Sequence, residues 1–344
     1  MTPISAVTLG PIVLRVRSRT VVVTVVLLLV LLLGMVAALC VGEYAVTPAR
    51  AVAAVFGGGD PIDRLLIVRL RLPRVLAGAL VGIALGTAGA LFQSVSRNPL
   101  GSPDVIGFTS GASTGALVAI LVLHAGAVPT AFGALLGGAL TAAVVYGLSA
   151  HDGVSPLRLV LVGLGAGAML SALNSLFVVQ AQIYDAQSAS AWLIGNLAGS
   201  GWGSVLLLLP VVGVGLLLAG LLGRPLALAE FSDERTRSLG AHPQVVRLGA
   251  IAVGVLLACG AVAVGGPIQF IALAAPQIAR RLTRGSGPHV LSAGIAGGVL
   301  LVLSDLVARE AFQPREYAVG VVTGIVGGGY LAWLLGREWK AGRT

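Results

Sequence analysis

One long uncharged segment constrains the fold of this chain more than any other feature. Residues 76–95 carry no charged side chain and are rich in glycine and alanine. As a helix rising about 1.5 Å per residue, about 20 residues cover the roughly 30 Å hydrocarbon core of a bilayer. Pro99 and Pro103 then interrupt helix formation, because proline lacks an amide hydrogen and disfavours helix in the residue before it. Another apolar segment follows at once, so the chain is predicted to cross a membrane repeatedly.

The whole 344-residue chain has the composition of a polytopic, all-α membrane protein. It is 57% hydrophobic and only 10% charged, whereas soluble proteins carry about 25% charged residues. We predict a single transmembrane domain over residues 1–344, with residues 1–20 as a cytoplasmic N-terminal segment. Ten apolar segments are candidate spans, at about 21–41, 75–95, 105–123, 130–149, 158–179, 204–222, 248–264, 268–282, 290–308 and 317–335.

The net charge of +9 indicates membrane orientation rather than nucleic-acid binding. The basic residues lie between the apolar segments instead of in one patch, and all except Lys340 are arginines. Cytoplasmic loops of membrane proteins are enriched in basic residues. Placing both termini in the cytoplasm puts most of the arginines on that side and predicts an even number of spans. The first and last external loops keep arginines against this rule, which calls for an explanation.

The sequence contains no motif for catalysis or for a resident cofactor. Cys40 and Cys259 are isolated, the four histidines lie far apart, and neither H-E-x-x-H nor G-x-S-x-G occurs. A P-loop requires G-x-x-x-x-G-K-[ST], and Lys340 is the only lysine, so the chain cannot bind ATP in that way. We therefore predict that it is not an enzyme and binds no metal or cofactor.

Glycine spacing predicts close helix packing and suggests a weak internal repeat. The G-x-x-x-G spacing lets helix backbones approach each other. Residues 81–90 of the second span resemble residues 253–261 of the seventh, which would run in the opposite direction, as in the inverted repeats of transporters. The spacing occurs at Gly82/Gly86, Gly107/Gly111/Gly115, Gly133/Gly137 and Gly163/Gly167.

Three blocks of sequence resemble permeases of the FecCD type. They run from Arg71-Leu-Pro-Arg74 to residue 112, from residue 233 to 280 and from residue 305 to 323, in the family's order. The chain departs from the family at Gln277, where histidine is usual, and at Ala318, where proline is usual. The resemblance implies the permease subunit of an ATP-binding-cassette importer for an iron-siderophore. Haem and vitamin B12 permeases share these motifs, so those cargoes stay open.

The resemblance also implies the partners and the location. These are two ATPase subunits that bind ATP and Mg²⁺, a second copy of the permease or a related one, an extracytoplasmic binding protein and the bacterial inner membrane. No nucleic acid is implied. The alternative is an ion-coupled secondary transporter, which could also have an inverted repeat. That class needs charged or broken-helix ion sites within the membrane, and the apolar segments contain almost no charged residues.

Two groups of site residues follow from the resemblance on opposite sides of the membrane. Arg71, Arg74 and Arg309 would bind acidic residues of the binding protein; the alternative is anchoring to lipid headgroups. The turn Asn98-Pro99-Leu100 would form a cytoplasmic gate, or else a purely structural turn. Residues 151–157 match the position of the family's second gate.

The cytoplasmic loop 224–247 would couple the permease to its ATPase. Ser232 is predicted to cap a short helix with acidic residues in its first turn, which Gly240 would end. The alternative is an ordinary solvated connection. The predicted coupling residues are Asp233, Glu234, Arg237, Leu239 and Gly240.

The fifth predicted span carries uncharged polar residues on one face. Ser171, Asn174 and Ser175 have the helical spacing that places them together. They could line a wide translocation pathway, or form hydrogen bonds between helices. Asp305, near the end of the ninth predicted span, is predicted to pair with Arg309 one turn further along.

Overall fold

A computed structural model describes residues 4–9, 12–42, 44–149, 156–229, 233–238, 240, 242–285, 287–311 and 316–341. A two-stranded antiparallel hairpin comes first, formed by β1 (Ile4–Leu9) and β2 (Ile12–Arg17). All other regular elements in the described ranges are helical. Apart from this hairpin, which the sequence did not predict, the all-α fold is confirmed.

The helices alternate between long apolar elements and short connecting ones. Two π-helical segments, Leu65–Arg71 and Val118–Val122, directly precede α4 and follow α5. The α-helices are α1 (Ser18–Cys40), α2 (Pro48–Val55), α3 (Pro61–Arg64), α4 (Leu72–Ser96), α5 (Phe108–Leu117), α6 (Ala127–Ser149), α7 (Pro156–Gln180), α8 (Ile183–Leu193), α9 (Trp202–Ala229), α10 (Asp233–Ser238), α11 (Pro243–Gly265), α12 (Ile271–Thr283), α13 (Val290–Glu310) and α14 (Val319–Ala341).

Each of the ten predicted spans coincides with one of these helices. Among the described residues, seven helices are long and apolar enough to cross a membrane: α1, α6, α7, α9, α11, α13 and the continuous helix Pro61–Ser96 that ends with α4. Phe108–Val122 and Val319–Trp333 are shorter apolar helices, and α12 has only 13 residues. The membrane fold is thus confirmed, whereas the count of ten spans stays a prediction.

Helix α4 lies at the centre of the bundle. It packs against α9, α11, α12 and α13, and nearly all of its side chains are buried. By contrast, α1, α6, α7 and α9 expose large apolar side chains, such as Leu33, Leu136 and Leu217. An apolar surface of this extent needs a bilayer or another subunit to cover it. Helices α4 and α11, which carry the suggested repeat, pack against each other; the repeat itself stays a prediction.

Glycines bring the backbones of neighbouring helices together. Gly115 of α5 and Gly133 of α6 face each other so closely that a Cβ on either one would collide with the carbonyl oxygen of the other. Gly82 of α4 and Gly297 of α13 have the same reciprocal relation. The prediction that the G-x-x-x-G spacings serve helix packing is therefore confirmed at these two contacts.

The chain breaks between α4 and α5 where the prolines predicted it. Helix α4 ends at Ser96, and Arg97 takes the left-handed conformation with φ 50°. This conformation commonly ends helices, because it turns the backbone away from the helix axis. Helix α5 starts at Phe108 after a further left-handed residue, Gly107 with φ 81°.

The predicted 224–247 loop is partly helical at both ends. Helix α9 continues through Pro225 to Ala229, and α11 already begins at Pro243. The reason lies in tertiary packing, because Leu226 and Ala229 are buried in the main hydrophobic core. The connection between the two long helices is therefore 230–242, and it contains α10.

Candidate functional site

Ion pairs join α4 and α13 at the end of the bundle where α1 ends, here called the arginine end. Arg74 Nη2 lies 3.0 Å from Asp305 Oδ1, and Arg74 Nη1 lies 3.0 Å from Glu316 Oε2. Arg309 Nε lies 3.2 Å from Asp305 Oδ2. Only 3% of Asp305 is exposed, so this buried carboxylate is flanked by two cations. The predicted pair between Asp305 and Arg309 is confirmed, and Arg74 extends it.

Arg71 binds backbone carbonyl groups instead of carboxylates. Its Nη1 donates to Leu39 O at 2.8 Å and its Nη2 to Tyr44 O at 2.6 Å. The last carbonyls of a helix have no donor within the helix, so Arg71 supplies one at the end of α1. Hydrogen bonds from Arg50 to Tyr44 and Asp63 fix the neighbouring loop and raise the pKa of the Arg50 guanidinium.

A cavity of about 830 Å³ opens at the arginine end. The structure thus brings together all three arginines predicted for docking, although Arg74 and Arg309 have carboxylate partners within the chain. Docking itself stays a prediction. The charged residues that line the cavity are Arg69, Arg71, Arg74, Arg309, Glu310 and Glu316.

The predicted gate turn lies at the opposite end of α4 and is exposed. The Asn98 side chain accepts a hydrogen bond from the Leu100 amide at 2.9 Å, which stabilises a tight turn. Pro99 O accepts a hydrogen bond from Gln277 Nε2 at 2.8 Å. Leu100 keeps 41% of its surface exposed. This geometry describes a well-formed turn, and its role as a gate stays a prediction.

Asp104 follows the gate turn and lies in a partly buried position before α5. Its carboxylate accepts a hydrogen bond from the Thr109 hydroxyl, which favours the charged form. Removal from water disfavours that form more strongly, and burial raises the pKa of Asp104 to about 6. This carboxylate is therefore the titratable group of the connection that responds to mildly acidic pH.

A buried amide and guanidinium cluster supports the gate turn from the side of α12. Gln93 Nε2 donates to Leu273 O at 3.1 Å, and Gln93 Oε1 accepts from Gln277 Nε2 at 3.2 Å and from Arg280 Nη2 at 2.8 Å. Sequence reasoning missed this cluster. Its one signal was Gln277 itself, a polar residue at a position where the family usually has histidine.

The coupling segment is a short helix, as predicted. Helix α10 spans Asp233–Ser238, so Asp233 and Glu234 occupy its first turn, and Arg237 is exposed. Gly240 follows with φ 82°, and its amide donates to Arg237 O at 3.0 Å. The predicted stop at Gly240 is therefore confirmed as backbone geometry. Ser232 and Leu239 lie outside the described residues, as do residues 151–155 of the second gate.

The polar residues of α7 hold this helix against α5. Asn174 Oδ1 accepts a hydrogen bond from Thr114 Oγ1 at 2.7 Å, and Asn174 Nδ2 donates to Ser110 O at 3.3 Å. Ser175 Oγ donates to Ser171 O within α7 at 3.0 Å, and both serines are exposed. Ser171 Oγ also lies within hydrogen-bond distance of Ser110 Oγ of α5, at 3.4 Å. Hydrogen bonding between helices thus applies to Asn174 and Ser171, whereas a translocation pathway along Ser171 and Ser175 stays a prediction. Within the described ranges, no three His, Cys, Asp or Glu side chains gather as metal ligands would.

Sequence comparison assigns this arrangement to a family. A profile of the FecCD transport family matches residues 26–337, which run from the middle of α1 through most of α14. The chain belongs to the FecCD transport family. The three arginines predicted for docking lie inside the matched region, and so do the turn predicted as a gate and the segment predicted for coupling.

Curated relatives of this FecCD chain are permease proteins of iron-uptake systems. The ferric enterobactin transport system permease protein FepG of Escherichia coli is 38% identical, with 86% of this chain and 90% of that protein covered. The achromobactin transport system permease protein CbrC of Dickeya dadantii is 35% identical, with 88% of each covered. The iron(3+)-hydroxamate import system permease protein FhuG of Bacillus subtilis is 32% identical, with 86% and 91% covered.

A solved structure supports the same assignment for the fold. An inward-facing conformation of a metal-chelate type ABC transporter superposes with a TM-score of 0.81 at 28% identity. The superposition covers 92% of this chain and 99% of that one. The chain therefore shares the fold of that ABC transporter chain over nearly its whole length.

Proposed function

We propose that this chain is the membrane-spanning permease of an ATP-binding-cassette importer for a ferric siderophore or a similar metal chelate. The observation that carries the proposal is the match along nearly the whole chain to a metal-chelate type transporter. Relatives named for ferric enterobactin, achromobactin and iron(3+)-hydroxamate support this class of cargo.

The proposed assembly contains two permease chains, two ATPase subunits and an extracytoplasmic binding protein in the bacterial inner membrane. ATP and Mg²⁺ bind to the ATPase subunits, because the sequence of this chain offers no P-loop. Both termini lie in the cytoplasm, so α10 faces the ATPase and the arginine end faces the binding protein. The gate turn lies between the cargo pathway and the cytoplasm, and Ser171 and Ser175 line that pathway.

Uptake into proteoliposomes tests the proposal. The permease is reconstituted with its ATPase subunits and binding protein. It is supplied with ferric enterobactin, a ferric hydroxamate or haem, each labelled with ⁵⁵Fe, or with cyanocobalamin labelled with ⁵⁷Co. We expect ATP-dependent accumulation of a ferric siderophore, and none when the P-loop lysine of the ATPase is replaced by alanine. Accumulation of haem or cobalamin alone would support the other cargoes of the family. Uptake driven by a proton or sodium gradient without ATP would contradict the proposal.

Two sets of variants can show whether the arginines of the arginine end dock the binding protein or only stabilise the fold. One set lowers the positive charge there and the other raises it. Arg74→Glu with Arg309→Glu removes positive charge, whereas Asp305→Asn frees positive charge that Asp305 now neutralises. If these arginines attract acidic groups of the binding protein, the first variant binds it at least about tenfold more weakly and the second binds it more tightly. High salt should reduce both differences. If both variants bound the binding protein equally weakly, these arginines would have only a structural role.

A further inference from the structure

Two adjacent carbonyl groups at the end of α9 connect the coupling segment with the gate turn. Leu228 O accepts a hydrogen bond from Thr236 Oγ1 of α10 at 2.9 Å. Ala229 O, next along the chain, accepts two bonds from Arg97, at 2.8 Å from Nη2 and at 3.3 Å from Nε. Arg97 caps the end of α4 and directly precedes the gate turn.

The acceptors in these hydrogen bonds are carbonyl groups that have no partner within the helix. The last four carbonyl groups of an α-helix have no donor within the helix and are usually satisfied by caps or water. Here two other segments of the chain supply the donors, and one of them is the fully buried Thr236. The end of α9 is therefore fixed to α10 on one side and to Arg97 on the other.

The gate turn has a second attachment that limits how it can move. Pro99 O accepts a hydrogen bond from Gln277 of α12, and Gln277 is held in turn by Gln93 of α4. The turn is thus tied to α12 on this side and to the end of α9 on the other, where a displacement of α9 reaches it through Arg97. Side-chain hydrogen bonds weaken steeply with distance and angle, so donor and acceptor must move together or separate.

We infer that Thr236 and Arg97 are positioning residues that transmit movement of α10 through the end of α9 to the gate turn. The inference rests on the proposed function, in which the ATPase subunits grip the segment around α10. When that segment shifts, Thr236 carries the Leu228 carbonyl with it. The adjoining Ala229 carbonyl then pulls or releases Arg97 and, with it, the first residue of the turn.

The test follows the exposure of the gate turn in complexes of the permease with its ATPase subunits in nanodiscs. Leu100→Cys is introduced into a chain with Cys40→Ser and Cys259→Ala. The rate of labelling by a fluorescent maleimide is measured without nucleotide and with ATP plus vanadate. In this background we expect the two rates to differ by about fivefold or more, the range of an ordinary coupling between sites.

Variants then remove each bond while keeping the local backbone. Arg97→Asn tolerates the left-handed conformation but is too short to reach Ala229, and Thr236→Val keeps the shape without the hydroxyl. Both should abolish the nucleotide-dependent difference, whereas Arg97→Lys and Thr236→Ser, which keep a donor, should restore most of it. Arg284→Asn is the matched control. Arg284 has φ 48° at the end of α12, where its backbone amide donates to Arg280 O, but its side chain makes no hydrogen bond or ion pair with the described residues.

The outcomes separate the two levels of the argument. Unchanged nucleotide dependence in both Arg97→Asn and Thr236→Val overturns the inference and leaves the proposed function intact. If Arg284→Asn lost the nucleotide-dependent difference to the same extent, the inference would also fail, because removing any arginine at such a helix end would then have this effect. If Arg97→Asn does not assemble, the comparison of Thr236→Val with Thr236→Ser decides alone. A background protein that forms no ATPase complex or does not respond to nucleotide contradicts the proposed function itself.

Discussion

At the scale of residues, the molecule is organised by how polar groups in an apolar bundle find partners. Without water, an unsatisfied amide or carboxylate costs several kcal/mol, so each such group has to be paired inside the protein. Asp305 is paired with two arginines, and Gln93 with a carbonyl, an amide and a guanidinium. Helices that are distant in the sequence thus become fixed relative to each other.

Asp104 gives this chain a predictable dependence on pH. Its pKa in the folded protein is about 6, compared with 3.8 for an ordinary aspartate, so between these values the folded chain holds a proton that the unfolded chain has lost. This group therefore favours folding most below about pH 4, and its contribution falls as pH rises through 6. We expect Asp104→Asn to raise the thermal midpoint at pH 8, by on the order of 2 °C.

The control for that measurement is the same variant at pH 4, where the native carboxyl is already neutral. The midpoints of Asp104→Asn and the unchanged protein, purified in detergent, should then nearly coincide. A difference of equal size at both pH values would mean that the amide acts through packing, and would contradict the role of the charge.

At the scale of elements, apolar length was enough to predict where helices lie, because each span must satisfy its own backbone hydrogen bonds. The predicted segment 130–149 became α6, and the predicted segment 290–308 became α13. Helix α8, which has a polar and partly exposed surface, gave no such signal. The partners of Asn174 and Gln93 were also hidden, because they depend on which helices pack together and not on either sequence alone.

The contact between α5 and α6 should fail when a side chain is added at its closest point. In Gly115→Val the new Cβ would collide with the backbone of Gly133, and relief requires the helices to separate. We expect a loss of about 1–3 kcal/mol or more, seen as a lower thermal midpoint or a failure to accumulate. Gly147→Val on the open side of α6 is the control, because a Cβ there meets no atom within 4 Å. Equal effects of the two variants would assign the loss to helix propensity.

Gly240, which follows α10, should tolerate substitution according to backbone conformation and not according to space. A Cβ there meets no atom within 4 Å, but φ is 82°, which a β-branched residue strongly disfavours. We expect Gly240→Val to lower the amount of cargo imported per ATP hydrolysed severalfold, and Gly240→Asn to retain more of it, since asparagine tolerates this conformation. Gly126→Val, at an exposed loop glycine with equal space and an ordinary φ, should have no effect. If Gly240→Val imported as much cargo per ATP as the unchanged protein, the helix end at Gly240 would have no role in coupling.

At the scale of the whole molecule, the contacts divide the chain between two ends. Arg19 near the start of α1 donates to Leu282 O in the last turn of α12, at 2.8 Å, at the end that also holds the gate turn. Arg71 and Arg309 reach the end of α1 at the other side of the bundle. The sequence predicted this division from arginine positions, but only the folded chain shows that Arg74, Asp305 and Glu316 meet.

Orientation in the membrane is the remaining property of the whole chain, and reporter fusions can test it. Because basic loops stay in the cytoplasm, we expect a fluorescent protein fused after Thr344 to fold and fluoresce, and alkaline phosphatase fused there to be inactive. Alkaline phosphatase inserted at Gly58, in the exposed connection between α2 and α3, should be active, since this connection belongs to the arginine end. If alkaline phosphatase were active at the C-terminus and inactive at Gly58, the chain would have the opposite orientation in the membrane. The arginine end would then face the ATPase, and the proposed roles of the two ends could not both hold.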